Sequence, residues 1–153
     1  MELKYPHNLI LLSLKIIVSY QPMKVYYWSP FISSVATTKA VINSIKSISK
    51  YSKGKFNFLI VDAFKEWQPY LNELKLNKIN VKKLNSFLNI KYLPKNGFFK
   101  SRLTYILVFI LTIFKLHNFI RKEKPEYFII HLITSIPLSL ILFFNYDSRF
   151  ILR

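Results

Sequence analysis

Hydrophobic residues in this chain fall into short continuous runs, and stretches with helical spacing lie between them. Lys24 to Trp28 is apolar and aromatic and is closed by Ser29 and Pro30, which predicts a first strand. From about Val35 to Ser52, residues Thr38, Val41, Ile42, Ile45 and Ile48 recur at helical intervals. Lys39, Asn43, Lys46 and Lys50 take the opposite face, and Gly54 suits the stop. Phe56 to Val61 is almost wholly apolar, as a strand buried on both faces would be. A loop from Asp62 to Gln68, a short helix from Pro69 to about Leu76 and a weaker strand from Ile79 to Leu84 follow.

Asn85 to Phe98 has no period and contains Pro94 and Gly97, so it predicts a long crossover loop. Ser101 is placed to cap a helix reaching about Lys122. That helix is apolar nearly all round as far as Phe114 and then amphipathic, with Leu116, Phe119 and Ile120 on one side. Pro125 ends it. Tyr127 to Ile130 predicts a buried strand, Ile136 to Phe144 a helix, Asn145 to Ser148 a turn and Arg149 to Leu152 a fifth strand.

Strands alternating with helices imply an α/β fold whose parallel sheet is covered on both faces. Right-handed crossovers then give the strand order 3-2-1-4-5, a Rossmann-like arrangement in a single domain over residues 23–153. Gln21 and Pro22 break whatever precedes them, so residues 1–22 are expected to be an N-terminal extension, poorly ordered or a short helix. In such a sheet, ligands bind outside the carboxyl ends of the strands where the order reverses. The crevice is therefore expected between the loops Ser29–Ser34 and His131–Ser135.

His131 is the leading candidate for chemistry. A histidine at a strand's carboxyl end, beside a helix start, can hydrogen-bond a sugar or phosphate oxygen. The alternative is an imidazole bonded to a backbone carbonyl. Thr134 and Ser135 read as helix caps that can also meet a ligand, and Ser33, Ser34, Thr37 and Thr38 offer hydroxyls where the first helix starts. The first loop holds no glycine, which excludes a GxGxxG dinucleotide site, and no Walker phosphate loop is present. Asp62 and Glu66 are placed where they can meet a ligand, although solvated loop charges are the default reading.

The chain has 23 Lys+Arg against 7 Asp+Glu in 153 residues, no cysteine and three scattered histidines. Disulfides and thiolate sites are excluded, and no metal-ligand spacing stands out. So basic a balance favours anionic partners. The lysines are spread out without a nucleic-acid module, so nucleic acid is not the expected partner. Leu9 to Val18 and Leu103 to Phe114 fall short of the roughly 20 apolar residues that a membrane-spanning helix needs. The Lys- and aromatic-rich region from Tyr92 to Arg102, with Lys95, Lys100 and Arg102, is instead suited to rest on an anionic membrane surface. Solvated lysines over ordinary helix-on-sheet packing are the competing explanation.

Three segments carry a family likeness: Met-Lys-Val-Tyr-Tyr-Trp-Ser-Pro-Phe from Met23, the helix start Thr37-Thr38-Lys39-Ala40, and Lys-Pro-Glu-Tyr-Phe-Ile-Ile-His from Lys124. Together they resemble the N-terminal, acceptor-binding domain of bacterial GT-B-fold glycosyltransferases of family 4, over roughly Met23 to Arg153. In that family a Lys-Pro-Asp motif, apolar residues and a histidine end the fourth strand; Glu126 stands where the Asp usually is. The resemblance implies that His131 is an active-site residue contacting the donor sugar. It also implies hexosyl transfer from a nucleotide-sugar substrate with retention, without a metal or other cofactor, onto a lipid-linked or glycan acceptor in cell-surface polysaccharide synthesis. The family's glycine pair after the first strand is replaced by Ile32-Ser33-Ser34, and its donor-site E-x7-E motif does not occur in the chain.

The expectation is thus half of a GT-B enzyme, truncated before the donor-binding C-terminal domain and inactive alone, cytoplasmic or peripheral at the inner membrane. The competing expectation is a non-enzymatic basic protein that interacts with membrane surfaces.

Overall fold

The computed structural model describes residues 21–31, 36–87, 89–94, 96–131 and 135–153, without the side chain of residue 135. The five apolar runs form strands β1 (Met23–Trp28), β2 (Phe56–Asp62), β3 (Asn80–Lys83), β4 (Tyr127–Ile130) and β5 (Arg149–Leu152). Between them lie helices α1 (Ala36–Ser52), α2 (Leu71–Leu76), α3 (Phe98–Glu123) and α4 (Ser135–Phe143). The strands pair in parallel in the order β3-β2-β1-β4-β5. This is the α/β, Rossmann-like single domain expected from the alternation.

Successive strand residues point to opposite faces, and the core divides accordingly. Val25, Tyr27, Phe58, Ile60 and Ile129 pack with Val41, Ile42 and Ile45 of α1 and Leu74 of α2. Tyr26, Trp28, Phe128 and Ile130 pack on the other face with Val108, Leu116 and Ile120 of α3 and Leu140 of α4. β1 and β4 are buried on both sides, which is why their sequences read as unbroken apolar runs rather than alternating ones.

Two details differ from the sequence expectation. Ser101 does not cap α3: the helix begins a turn earlier, with Gly97 before it at φ +97°, and the Ser101 hydroxyl donates to the Phe98 carbonyl. Gly97 takes a backbone conformation that side chains disfavour, so the boundary falls at the glycine rather than at the serine. α3 is also longer than its uninterrupted apolar stretch suggests. Its 26 residues make it the one described helix long and apolar enough to cross a membrane, although a third of its most apolar window is buried in the protein. Residues 1–20, including most of the expected extension, lie outside the described residues.

Lys124 caps α3, in the left-handed conformation at φ 44° just before Pro125. Its last residue, Glu123, touches the start of the central strand: its carbonyl accepts from the Lys24 ammonium at 2.8 Å. The Glu126 carboxylate accepts the Lys24 backbone N–H at 2.6 Å. This acid therefore ties β1 to β4 at the amino edge of the sheet, the opposite end from His131.

Candidate functional site

β1 and β4 are hydrogen-bonded neighbours, with Trp28 opposite Ile130. The ladder continues one step, the His131 N–H donating to the Trp28 carbonyl at 3.0 Å. That bond holds His131 at the carboxyl edge where the strand order reverses. Alternation turns its side chain toward the α1 face, and there its ring stacks on Tyr27, with centroids 5.8 Å apart and planes 21° apart.

His131 is 6% exposed, and its Nε2 has no hydrogen-bond partner among the described residues. Burial lowers the His131 pKa below 6.5, and the positive charge of Arg153 adds to the shift. The ring is therefore neutral at pH 7 and offers one donor and one acceptor.

His131 and Arg153 form one wall of a cleft of about 430 Å³, and Asn43, Ser44 and Ser47 of α1 form the other. Arg153 Nη1 donates to Ser44 Oγ at 2.7 Å, and the Tyr27 hydroxyl lies 3.4 Å from the same oxygen. Ser44 thus joins the guanidinium to the ring that supports the histidine. Burial raises the Tyr27 pKa, against smaller opposing effects of Ser44 and Arg153, so the phenol stays protonated. The cleft presents a cation, a neutral imidazole, hydroxyls and an amide. Such a set recognises an anionic or polyhydroxylated ligand through charge and directed hydrogen bonds.

Of the described residues singled out from sequence as site candidates, only His131 lines this cleft. Thr38 is buried in the first turn of α1 with its hydroxyl unpaired among the described residues, and Thr37 is half-buried beside it. Ser33, Ser34, Thr134 and Lys95 lie outside the described residues, as does the side chain of Ser135. Lys100 and Arg102 are exposed on α3, which packs on the other face of the sheet, and Arg102 stacks on Phe98 at 4.0 Å. Asn43, Ser44, Ser47 and Arg153 were missed. Asn43 fell on the face of the helix read as solvent-facing, and the partnership of Arg153 with Ser44 spans most of the chain.

Asp62 and Glu66 are not solvated loop charges. Both are essentially inaccessible, at 0% and 1% exposure. Glu66 Oε1 accepts from Ala63 N–H at 2.9 Å and Oε2 from Phe64 N–H at 2.6 Å, so the side chain folds back on its own loop. Burial raises the Glu66 pKa well above the ordinary carboxylate value, and hydrogen bonding and repulsion from Asp62 raise it further. Two ionised carboxylates cannot bond to one another; a proton on Glu66 supplies the donor that the Asp62 oxygens otherwise lack among the described residues. Trp67 beside them is held by the edge of Phe31, with centroids 5.1 Å apart. The pair locks the loop after β2.

Among the described residues, no three His, Asp or Glu side chains converge on a point that can hold a metal ion. No family model, curated protein or solved structure matches this chain.

Proposed function

We propose that this chain is the acceptor-binding half of a nucleotide-sugar-dependent, retaining glycosyltransferase. The observation that supports this reading most directly is the position of His131. It lies at the carboxyl end of β4, one hydrogen bond from the end of β1, and lines a cleft that contains a guanidinium. The likeness of the segments around Met23, Thr37 and Lys124 adds the reaction class. In this reading the neutral imidazole hydrogen-bonds a sugar hydroxyl, as a group that is not charged at pH 7 can do in either direction. Arg153 and the α1 hydroxyls bind the charged or polar remainder. The donor's diphosphate is held chiefly by residues other than these 153, since the E-x7-E pattern does not occur among them.

The test is ligand binding followed residue by residue. Uridine- and guanosine-diphosphate sugars and a polyprenyl-phosphate-linked sugar are titrated into the isotope-labelled chain, and amide and imidazole resonances are recorded. Shifts concentrated at His131, Ser44, Ser47 and Arg153 with at least one probe are expected. Shifts absent from these residues with every probe would overturn the reading. Turnover of nucleotide-sugars by the 153-residue chain alone would refute the assignment of the donor site elsewhere.

A further inference from the structure

α3 has two long faces of opposite fate. Thr104, Val108, Thr112, Leu116, Phe119 and Ile120 are buried, and Val108, Leu116, Phe119 and Ile120 pack in the core with β1, β4 and α4. The side turned away from the sheet is apolar too. Phe99 is 84% exposed, Leu103 52%, Ile106 54%, Ile110 57% and Phe114 76%, and they follow one another at intervals of three or four residues. That spacing makes one stripe, roughly 22 Å long at 1.5 Å per residue. The end of α4 adds Leu142 and Phe143, about four-fifths exposed. Solvent-facing helix surfaces in a water-soluble fold carry polar side chains, and a contiguous apolar patch of this kind marks a contact surface.

The stripe has basic ends. Lys100 and Arg102 flank its start and Arg121 and Lys122 its finish, all exposed. Long cationic side chains at the ends of an apolar face can reach headgroups while the face itself sits among acyl chains. A second copy of this chain is a poorer occupant: it would set one strongly basic surface against another, in a protein with a formal net charge of +16. A membrane crossing also fits badly, because the opposite stripe of the same helix is packed against core residues of β1 and β4.

We infer that α3, with the end of α4, is an in-plane docking face for an anionic lipid bilayer, seated along the helix axis rather than threaded by it. This inference is independent of the sugar-transfer reading and stands if that reading fails.

The experiment is co-sedimentation of the whole chain with phosphatidylcholine vesicles, with and without phosphatidylglycerol. Binding to the anionic vesicles is expected, weakening as salt is added. Ile106→Asp with Ile110→Asp is expected to reduce it by about tenfold or more, because charge is placed within the apolar face. The melting temperature is expected to stay the same, since both side chains are exposed. Lys100→Glu with Arg102→Glu is expected to weaken binding to anionic vesicles selectively.

Because the chain has no cysteine, Leu103→Cys and Phe114→Cys can each carry an environment-sensitive fluorophore. Equal shallow quenching at both sites is expected, whereas unequal depths would indicate a crossing helix and overturn the in-plane assignment. Vesicle binding unchanged by the double aspartate variant would overturn the face. So would a chain that ignores vesicles and forms a dimer that this variant dissociates.

Discussion

The ring of Tyr27 lies 5.8 Å from that of His131 and nearly parallel to it, which places the histidine on the α1 side of the sheet. One β1 residue therefore sets where the β4 imidazole can act. The same tyrosine reaches Ser44, and Ser44 holds Arg153, so three strands and a helix meet at one small polar cluster.

His131 should titrate below 6.5, followed by its imidazole resonances as pH is lowered. Arg153→Gln should raise that pKa but not restore the ordinary value, because burial is the larger cause. The sign for stability follows. Below about 6.5 the unfolded chain takes up a proton that the folded chain refuses. The contribution of His131 is thus complete above about pH 6.5 and is lost as pH falls toward the folded value. Titration at or above 6.5 would contradict the buried placement.

Glu66 behaves in the opposite sense. Its folded pKa is raised, so the unfolded chain gives up its proton first, near 4.5, and stability declines as pH rises beyond that value. Asp62→Asn removes the neighbouring charge and supplies an N–H donor to the Glu66 carboxylate. Urea unfolding at about pH 8 should show a gain of about 1–2 kcal/mol. The dependence of stability on pH between about 5 and 8 should also flatten. An unchanged slope would mean that the two carboxyls do not share a proton.

Leu116→Ala should cost about 2–5 kcal/mol, the range for removing a buried leucine side chain, since Leu116 is fully buried. Phe114→Ala, on the same helix but 76% exposed, should change stability by no more than about 0.5 kcal/mol. Chemical denaturation of the two variants tests which face of α3 meets the sheet.

Arg153→Ala should weaken binding of a phosphate-bearing sugar by about tenfold, as loss of a charge-assisted contact does. It should also reduce the salt dependence of that binding, measured by calorimetry. Arg153→Lys should recover only part of the loss, because an ammonium cannot hold Ser44 and a ligand in the fork geometry of a guanidinium. Equal affinities for all three proteins would remove Arg153 from the site.

Local pattern was enough for much of the architecture. Apolar runs such as Phe56 to Val61 are bounded by residues that cannot continue them. Helical spacing from Thr38 to Ile48 can bury only one face. Alternation of the two leaves a covered parallel sheet as the arrangement that buries both kinds of surface. His131 was legible for the same reason, because the end of a strand is also a position in the sequence. Tertiary structure alone decided the rest. Asp62 and Glu66 look like ordinary loop charges until the chain folds over them, and Arg153 becomes a partner of Ser44 only when β5 is laid beside β4. The outer face of α3 is apolar like its inner one; only packing against the sheet determines which is buried and which is left for another surface. Burial and long-range pairing depend on where distant segments come together, and the spacing of residues along the chain does not carry that information.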